Sequence, residues 1–333
     1  MNFCTLFDSY YLLKGLGLYL SLEKVTDDFH LYVMAFDKNS YEKLSSCHFK
    51  HMTVELLDDF ETPELLEAKK DRTKAEYCWT CGPSVIYHFL TKYKLDEITY
   101  LDSDLFFLAD PHILKKEVGN SSVVITEQGI GEESAQMYGR YCVQYLTFRN
   151  DEDGKGALTW WRDRCIEWCY QIMEPTRYAD QKYLDEFPKR WNNVCVLKNL
   201  GAGIAPWNMH RYQYKETSLV FEEHEYPFVF FHFHGAKLEV VNDTLYVSSL
   251  HHHLGKQMIV LFYTPYGMVL EEAVNKYLNQ KVTKLVVRDI PFFKRIEYKI
   301  RSWVRTKQGL TNFYFKYFHK RIERGHGTVI EQK

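Results

Sequence analysis

The chain has 333 residues, enough for one large α/β domain or two smaller ones, and its net charge of −2 leaves no overall positive field for nucleic acid. It has no run of about 18 apolar residues, so we expect no membrane-spanning helix. The N-terminal residues lack the basic segment and cleavage site of a signal peptide, and the eight cysteines therefore indicate free thiols in a reducing cytosol.

Apolar and amphipathic segments alternate over the first hundred residues. Strands are predicted at 2–7, 29–36, 52–56 and 98–107. Helices are predicted at 11–22, from Ser40, at 62–70 and at 81–93, the last with Pro83 in its first turn. Asp8 or Ser9 is expected to cap the first helix. This order predicts an open, largely parallel α/β sheet flanked by helices.

The rest of the chain continues this pattern and then changes in composition. Further strands are predicted at 122–126, 142–148, 194–197 and 229–233. Further helices are predicted at 157–173, 177–187, 269–278 and 289–304. From Lys284 to Arg324 the chain has 12 Lys and Arg against three Asp and Glu. We therefore predict an α/β domain at 1–250 and a basic, aromatic-rich, mainly helical extension at 251–333.

Two carboxylates interrupt an apolar strand in the segment Tyr100-Leu101-Asp102-Ser103-Asp104. A buried carboxylate without a partner is strongly unfavourable, so Asp102 and Asp104 are expected where the strand leaves the sheet. In an extended segment, residues two apart face the same side and lie ~6–7 Å apart. Two hard oxygen ligands at this spacing suit a divalent cation that keeps sites open for phosphate oxygens. The alternative is an acidic turn after a strand, and the spacing alone leaves both open.

Two other segments carry groups that a nucleotide would need. The turn from the first strand into the first helix contains Thr5, Asp8 and Tyr11, which offer an aromatic face and an acceptor near a helix N-terminus. It has neither GxGxxG nor a Walker sequence, so a dinucleotide site or a P-loop is not expected. The other segment is the end of the strand predicted at 229–233, which leads into His232-Phe233-His234-Gly235, with Lys237 just after. A cation and a lysine can neutralise a departing diphosphate, and one His with two Asp suits Mn²⁺ better than Ca²⁺.

With these motifs the chain resembles a known family, the GT-A fold glycosyltransferases of family eight. This is the retaining group that contains glycogenin and bacterial lipooligosaccharide galactosyltransferases. The resemblance covers roughly residues 2–240 and keeps the motifs in order. It implies a GT-A catalytic domain over 1–250, a nucleotide-sugar donor and a Mn²⁺ or Mg²⁺ ion. Its most specific element is the segment 100–104, which resembles the family's metal motif.

The resemblance implies a role for each candidate residue. Tyr11 would stack on the nucleotide base, and the strand 142–148 would line the sugar pocket. His232 would be the third metal ligand beside Asp102 and Asp104. Asp180 and Gln181 resemble the family's Asp-Gln pair, which contacts the donor sugar near the anomeric carbon, and are the predicted catalytic residues. The predicted donor-binding residues are Thr5, Asp8, Tyr11, Ser103, Gly235 and Lys237, with Lys237 on the diphosphate.

Several features depart from the family pattern. Lys237 comes one residue early, and Leu238-Glu239 stands where Pro-Trp is usual. The helix before the metal strand lacks the expected arginine, for which Arg72 or Lys74 would have to substitute. Cys142-Val143-Gln144 lacks the usual Asn-x-Gly, which leaves the donor sugar open. These departures indicate a divergent bacterial branch.

The resemblance implies transfer of a hexose-type sugar from a UDP-sugar to a glycan or lipid-linked glycan in polysaccharide biosynthesis, with retention. Gln181 would be a poor nucleophile, which favours attack on the face of the leaving group, whose phosphate accepts the proton. One alternative is a sugar-phosphate nucleotidyltransferase, but the segment 6–10 lacks the glycine-rich basic loop that it would need. The other is a non-catalytic scaffold that binds a glycan or a partner protein, against which the intact Asp102, Asp104 and His232 argue.

The C-terminal extension interleaves aromatic and basic residues at 292–303 and 313–321. This pattern suits an interfacial helix against anionic lipid, and equally a packed helix with a solvated basic face. We expect a cytoplasmic protein without a nucleic-acid partner, with peripheral contact at the inner face of the membrane as one interpretation. Cys78 and Cys81 have CxxC spacing and are interpreted as buried thiols, and His251-His252-His253 as a surface loop.

Overall fold

The computed structural model of the chain describes residues 1–250 and 252–288. The chain divides into two compact units, the first from Met1 to His232 and the second from Phe233 onward. The domain boundary at residue 250, which the composition predicts, stays a prediction.

The first unit alternates strands and helices. Its strands are β1 (Asn2–Phe7), β2 (His30–Ala35), β3 (Met52–Leu56), β4 (Glu97–Leu101), β5 (Leu105–Phe107), β6 (Val123–Glu127), β7 (Tyr141–Arg149), β8 (Val194–Leu197), β9 (Ala202–Ile204), β10 (Gln213–Tyr214), β11 (Ser218–Phe221), β12 (His224–Pro227) and β13 (Phe230–His232). Its α-helices are α1 (Leu12–Val25), α2 (Lys38–Ser46), α3 (Pro63–Lys69), α4 (Lys74–Lys92), α5 (Lys115–Val118), α6 (Glu132–Tyr138), α7 (Glu152–Glu167) and α8 (Phe187–Arg190). Short 3₁₀ helices span Leu57–Asp59, Pro111–Leu114, Lys182–Glu186 and Met209–Arg211.

The central sheet has seven strands in the order β3-β2-β1-β4-β7-β6-β8. The pairs β3-β2, β2-β1, β1-β4 and β6-β8 are parallel, whereas β7 runs antiparallel to both β4 and β6. The predicted open, mostly parallel α/β sheet is confirmed. From β1 the chain moves to β2 on one side, and β4 lies on the other side of β1. In such sheets, ligands bind beyond the carboxyl ends of the strands at this reversal of strand order.

Side chains of β1 alternate between two buried faces. Cys4 and Leu6 belong to the core that includes α4 and α7. On the opposite face, Phe7 packs so closely on α1 that a Cβ atom added to Gly15 would lie 2.3 Å from Cζ of Phe7. Both faces of the sheet are covered, so β1 is buried from Phe3 to Phe7 and mostly apolar.

A three-stranded sheet brings the end of the first unit beside β5. β13 lies between β5 and β9, antiparallel to β5 and parallel to β9. Its register pairs His232 with Leu105, the residue that follows Asp104. The N–H groups of Val229 and Phe230 both donate to the carbonyl oxygen of Gly201, at 2.9 and 3.2 Å. A third sheet, β10-β11-β12, is an antiparallel meander.

Helix α4 begins earlier than predicted. It starts at Lys74 instead of residue 81, so Pro83 lies in its interior and the basic segment 71–74 is partly helical. Thr73 and Glu76 form a capping box, in which each side chain accepts a hydrogen bond from the other residue's N–H. The cap satisfies N–H groups that a helix start otherwise leaves unpaired, and the helix continues through Pro83, which cannot donate a helical hydrogen bond.

Three other predicted boundaries are wrong. The helix at 157–173 is α7, which ends at Glu167, and the helix at 177–187 is a 3₁₀ turn that begins at Lys182 and leads into α8. Tertiary hydrogen bonds replace helical ones here, since Trp161 Nε1 donates to the carbonyl of Asp180 and Tyr183 Oη to that of Trp168. The residue at the N-cap position of α1 is Tyr11 instead of Asp8 or Ser9, and its side chain makes no capping hydrogen bond, although Asp8 Oδ1 accepts from the N–H of Tyr11.

The second unit contains a sheet and two α-helices among its described residues. Its described elements are β14 (Ala236–Val241), β15 (Thr244–Ser249), α9 (Lys256–Met258), a π-helical turn (Ile259–Tyr263), α10 (Thr264–Tyr277) and β16 (Lys284–Val287). The strands form the sheet β14-β15-β16. The extension is thus helical over α10, as predicted for 269–278, but it also contributes a strand. The helix predicted at 289–304, the aromatic-basic segments at 292–303 and 313–321, and His251 lie outside the described residues.

The cysteines and the apolar character of the helices bear on two further predictions from the sequence. Each of the eight cysteines, all within the described residues, is a free thiol. In the described ranges 1–250 and 252–288, no helix has the length and apolar character needed to cross a bilayer.

We predict that Gly201→Ala destabilises the first unit. A Cβ atom at this position would lie 1.8 Å from the carbonyl oxygen of Pro227, so the chain leading into β13 would have to move. The expected loss in free energy of unfolding is about 2 kcal/mol or more, measured by urea denaturation. The control is Gly131→Ala, where nothing lies within 4 Å and φ is −66°, with an expected change below about 1 kcal/mol. Equal midpoints for the two variants would contradict the packing argument.

Candidate metal centre

The first unit brings Asp102, Asp104 and His232 together at the end of β4. His232 Nε2 lies 3.1 Å from Asp104 Oδ1 and 3.7 Å from Asp102 Oδ2. One ligand atom from each residue lies within 4.8 Å of the others. His232 and Asp104 are buried, and Asp102 is partly exposed. Three donors at this separation could converge on one cation.

The carboxylates converge because the chain turns between them. β4 ends at Leu101, β5 begins at Leu105, and the N–H of Leu105 donates to the carbonyl of Asp102 at 3.1 Å. The expected extended conformation of this segment is therefore wrong, although both carboxylates do face the same side. The turn directs both carboxylates toward β13, whose pairing with β5 supplies His232.

Hydrogen bonds orient the candidate ligands. His232 Nδ1 lies 2.8 Å from Gln144 Oε1, and Gln144 Nε2 donates to Thr126 Oγ1 at 3.3 Å. Since the amide oxygen accepts from Nδ1–H, Nε2 is the ring nitrogen that faces the two carboxylates. The ring of Trp207 packs edge-on against the imidazole at 5.2 Å between ring centres. Tyr100 Oη donates to Asp102 Oδ1 at 3.1 Å.

Burial and charge shift the pKa values of these groups. Burial alone would lower the pKa of His232, but the adjacent carboxylates, Asp104 foremost, raise it to about 10. Burial raises the pKa of Asp102 to about 6, against the attraction of the His232 imidazolium. Burial and the charge of Asp102 raise the pKa of Asp180 to about 8. A divalent cation bound by Asp102, Asp104 and His232 would replace the imidazole proton.

These donors fit the metal that the sequence predicts. Two carboxylate oxygens and one imidazole nitrogen suit Mn²⁺, and the carboxylates also suit Mg²⁺. The hydrogen bond from Nδ1 to Gln144 is what a metal-binding histidine requires, because it leaves Nε2, the nitrogen that faces the carboxylates, to bind a metal that displaces its proton.

The turn from β1 into α1 holds three predicted donor-binding residues. Asp8 Oδ1 accepts from the N–H of Tyr11 at 3.1 Å, and Asp8 Oδ2 pairs with Lys74 Nζ at 2.5 Å. Thr5 is fully buried, and its Oγ1 has no hydrogen-bond partner among the described residues. Of the two proposed substitutes for the missing arginine, Lys74 therefore lies at this turn. Arg72 is occupied elsewhere, because its guanidinium donates to the carbonyls of Ala68 and Ile166.

The predicted catalytic pair lies just before the 3₁₀ turn at Lys182. Asp180 is buried, and Asp102 is close enough for its charge to act on the pKa of Asp180. Gln181 Nε2 donates to the carbonyl of Tyr138, the last residue of α6, at 3.1 Å. Ser103 is buried in the turn between the two metal-site carboxylates. The catalytic and donor-binding roles of these residues stay predictions.

Two predicted site residues lie in the second unit. Gly235 has a φ of 68°, a conformation that favours glycine, and Lys237 Nζ pairs with Glu239 at 2.7 Å. His234 is exposed, whereas His232 is the histidine that meets the carboxylates. The roles predicted for Gly235 and Lys237 stay predictions.

Sequence reasoning missed two residues at the centre. Gln144 entered only as a departure from the family pattern, and its contact with His232 depends on a pairing of distant strands. The sequence motifs do not include Lys14, although its Nζ lies 3.4 Å from Asp104 Oδ2 and 4.2 Å from the centre of the Tyr11 ring. A lysine in the otherwise apolar helix segment 12–18 was the available signal, since a buried ammonium requires a counter-charge.

The chain has relatives among bacterial proteins. No protein-family model matches it. It is 31% identical over 281 residues to YfnD of Bacillus subtilis (strain 168), described as an uncharacterized protein, with 83% of this chain and 90% of YfnD covered. The chain belongs to the YfnD family. YfnF of the same organism, also described as uncharacterized, is 29% identical over 253 residues, with 72% of this chain and 83% of YfnF covered.

The fold of this YfnD-family chain has a solved counterpart. The crystal structure of the galactosyltransferase LgtC, in complex with donor and acceptor sugar analogues, superposes with a TM-score of 0.56 at 13% identity. The match covers 83% of this chain and 100% of LgtC. This likeness concerns the fold alone, and it confirms the predicted GT-A fold.

We predict that Gln144→Met weakens Mn²⁺ binding by about 10- to 100-fold, because His232 loses the acceptor that fixes its tautomer. Isothermal titration calorimetry with Mn²⁺ measures the change. The matched control is Gln128→Met, which removes another buried amide, one that donates to the carbonyl of Gly139 at 2.7 Å. Equal Mn²⁺ affinities in the two variants would show that Gln144 does not orient His232.

Proposed function

We propose that this chain is a metal-dependent glycosyltransferase of a divergent bacterial branch of family eight. It would move a hexose-type sugar from a UDP-sugar to a glycan or lipid-linked glycan in polysaccharide biosynthesis, with retention. The observation that carries the proposal is the convergence of Asp102, Asp104 and His232 beyond β4 in a GT-A fold. The galactosyltransferase LgtC, crystallised with sugar analogues, has this fold and supports the class of reaction.

Each group of candidate residues would have a separate role in such a reaction. Asp102, Asp104 and His232 would hold Mn²⁺ or Mg²⁺, which supplies positive charge for a departing diphosphate. Tyr11 would stack on the base, and Asp8 would accept a hydrogen bond from the nucleoside. Burial of Asp104 and His232 keeps water from screening these interactions.

The residues near Asp102 suggest how the sugar would be handled. Asp180 and Gln181 would contact the donor sugar near the anomeric carbon. An amide such as Gln181 is a poor nucleophile, so the acceptor would attack on the face that the diphosphate leaves. The leaving phosphate would take the proton of the acceptor hydroxyl. The product would then keep the anomeric configuration of the donor.

The location of the protein is also part of the proposal. The 12 Lys and Arg between Lys284 and Arg324, against three Asp and Glu, support peripheral contact of a cytoplasmic protein with anionic lipid at the inner face of the membrane. Such contact would suit a lipid-linked acceptor.

We predict that UDP raises the melting temperature by several degrees with Mn²⁺ present and not without it, because a ligand stabilises the state that binds it. Asp104→Asn is expected to abolish this rise, since it removes a metal-binding carboxylate. Asp27→Asn, which changes an exposed aspartate, is the control and should keep the rise. If UDP with Mn²⁺ raised the melting temperature of Asp104→Asn as much as that of wild type, the proposed role of the metal centre in UDP binding would be wrong.

A second prediction concerns catalysis. Purified protein with Mn²⁺ should slowly hydrolyse one of a panel of UDP-hexoses, and NMR should show the anomer of the donor forming first. Failure to cleave any donor would favour the non-catalytic scaffold. Pyrophosphate release from UTP and a hexose 1-phosphate would favour the nucleotidyltransferase. A covalent sugar adduct on Asp180, seen by mass spectrometry, would contradict attack on the leaving-group face.

A further inference from the structure

Lys14 is a buried cation on a helix that otherwise faces the core. Its side chain is 8% exposed, and its neighbours Leu12, Leu13 and Leu16 are buried. Burying an ammonium costs free energy unless a counter-charge compensates it. The compensating group is Asp104, a candidate metal ligand whose side chain is 9% exposed. The charge of Lys14 therefore acts directly on the metal centre.

The two oxygens of Asp104 face different cations. Oδ1 lies 3.1 Å from His232 Nε2, on the side where the three ligand atoms converge. Oδ2 lies 3.4 Å from Lys14 Nζ. A divalent cation bound by Asp102, Asp104 and His232 would therefore share one carboxylate with the ammonium. Both positive charges would act across a buried site, where water screens them little.

This arrangement affects a cation and a diphosphate in opposite ways. The Lys14 ammonium repels a divalent cation that binds alone, and it also neutralises part of the negative charge of Asp104. A nucleoside diphosphate is attracted by the ammonium and by the metal together. The charge of Lys14 thus favours the state in which both ligands are bound over the state with metal alone.

We propose that Lys14 is a positioning residue that makes the divalent cation and the nucleoside diphosphate bind together. It does so through the second oxygen of Asp104 and from its place beside the Tyr11 ring. This inference rests on the proposed function, because it requires both ligands at the Asp102–Asp104–His232 centre. Lys74 is a poorer candidate for the same role, since its side chain is 64% exposed and it pairs with Asp8 in contact with water.

The test compares Lys14→Met with wild type in two titrations, Mn²⁺ alone and UDP at saturating Mn²⁺. We expect Mn²⁺ alone to bind about tenfold more tightly to the variant and UDP about tenfold more weakly. The matched control is Lys24→Met, which removes a lysine about 15 Å further along the same helix and should change neither affinity. A role limited to packing or folding would weaken both ligands, and that result would overturn the inference.

Two further measurements keep the test decisive. Lys14→Gln removes the charge but keeps an N–H donor. This variant should show the same opposite changes in Mn²⁺ and UDP affinity as Lys14→Met. Circular dichroism establishes which variants are folded. In wild type, UDP should raise the affinity for Mn²⁺ at least about tenfold, and an unchanged affinity would overturn the inference. If wild type binds neither Mn²⁺ nor UDP, the proposed function is wrong and the inference falls with it. If wild type binds both and the variants shift both affinities the same way, only the inference is wrong.

Discussion

The close approach of two carboxylates to one imidazole is the constraint on which the rest of the site depends. Asp102 and Asp104 repel each other, and withdrawing Asp104 fully and Asp102 partly from water is strongly unfavourable without compensating partners. Three residues supply that compensation: His232 between the carboxylates, Lys14 on Asp104 and Tyr100 on Asp102. Each comes from a different strand or helix of the first unit. The site therefore exists only when β4, β13 and α1 are all in place.

The fold meets this constraint through two close approaches of backbone. The turn between β4 and β5 directs both carboxylates to one side, and β13 must pair with β5 in the register that sets His232 opposite Leu105. Gly201 also holds the start of β13, since its carbonyl accepts from the N–H groups of Val229 and Phe230 and its missing side chain makes room for Pro227. A glycine outside the candidate site thus helps to place the strand that carries His232.

The sequence predicts parts of this site that depend on local patterns. The apolar strands, their order and the carboxylates at a strand end follow from periodicity and the cost of buried charge, and His232 follows from a resemblance. The turn at Ser103 could not be predicted from the sequence, because an Asp-x-Asp segment after an apolar strand is equally compatible with an extended conformation. Gln144 could not be identified, since its contact with His232 arises from pairings between strands distant in sequence. The start of α4 was misplaced because Pro83 usually marks a first turn, whereas the capping box at Thr73 begins the helix.

The two lysines near the β1–α1 turn differ in how firmly they hold their carboxylates. Lys74 pairs with Asp8 in contact with water, where screening and side-chain entropy leave an ion pair worth at most about 1 kcal/mol. Asp8 can therefore exchange this lysine for a ligand at little cost. Lys14 is enclosed, and moving it away would leave Asp104 with a buried, less compensated charge. This difference is consistent with the donor-binding role proposed for Asp8, while Asp104 keeps one fixed orientation toward His232.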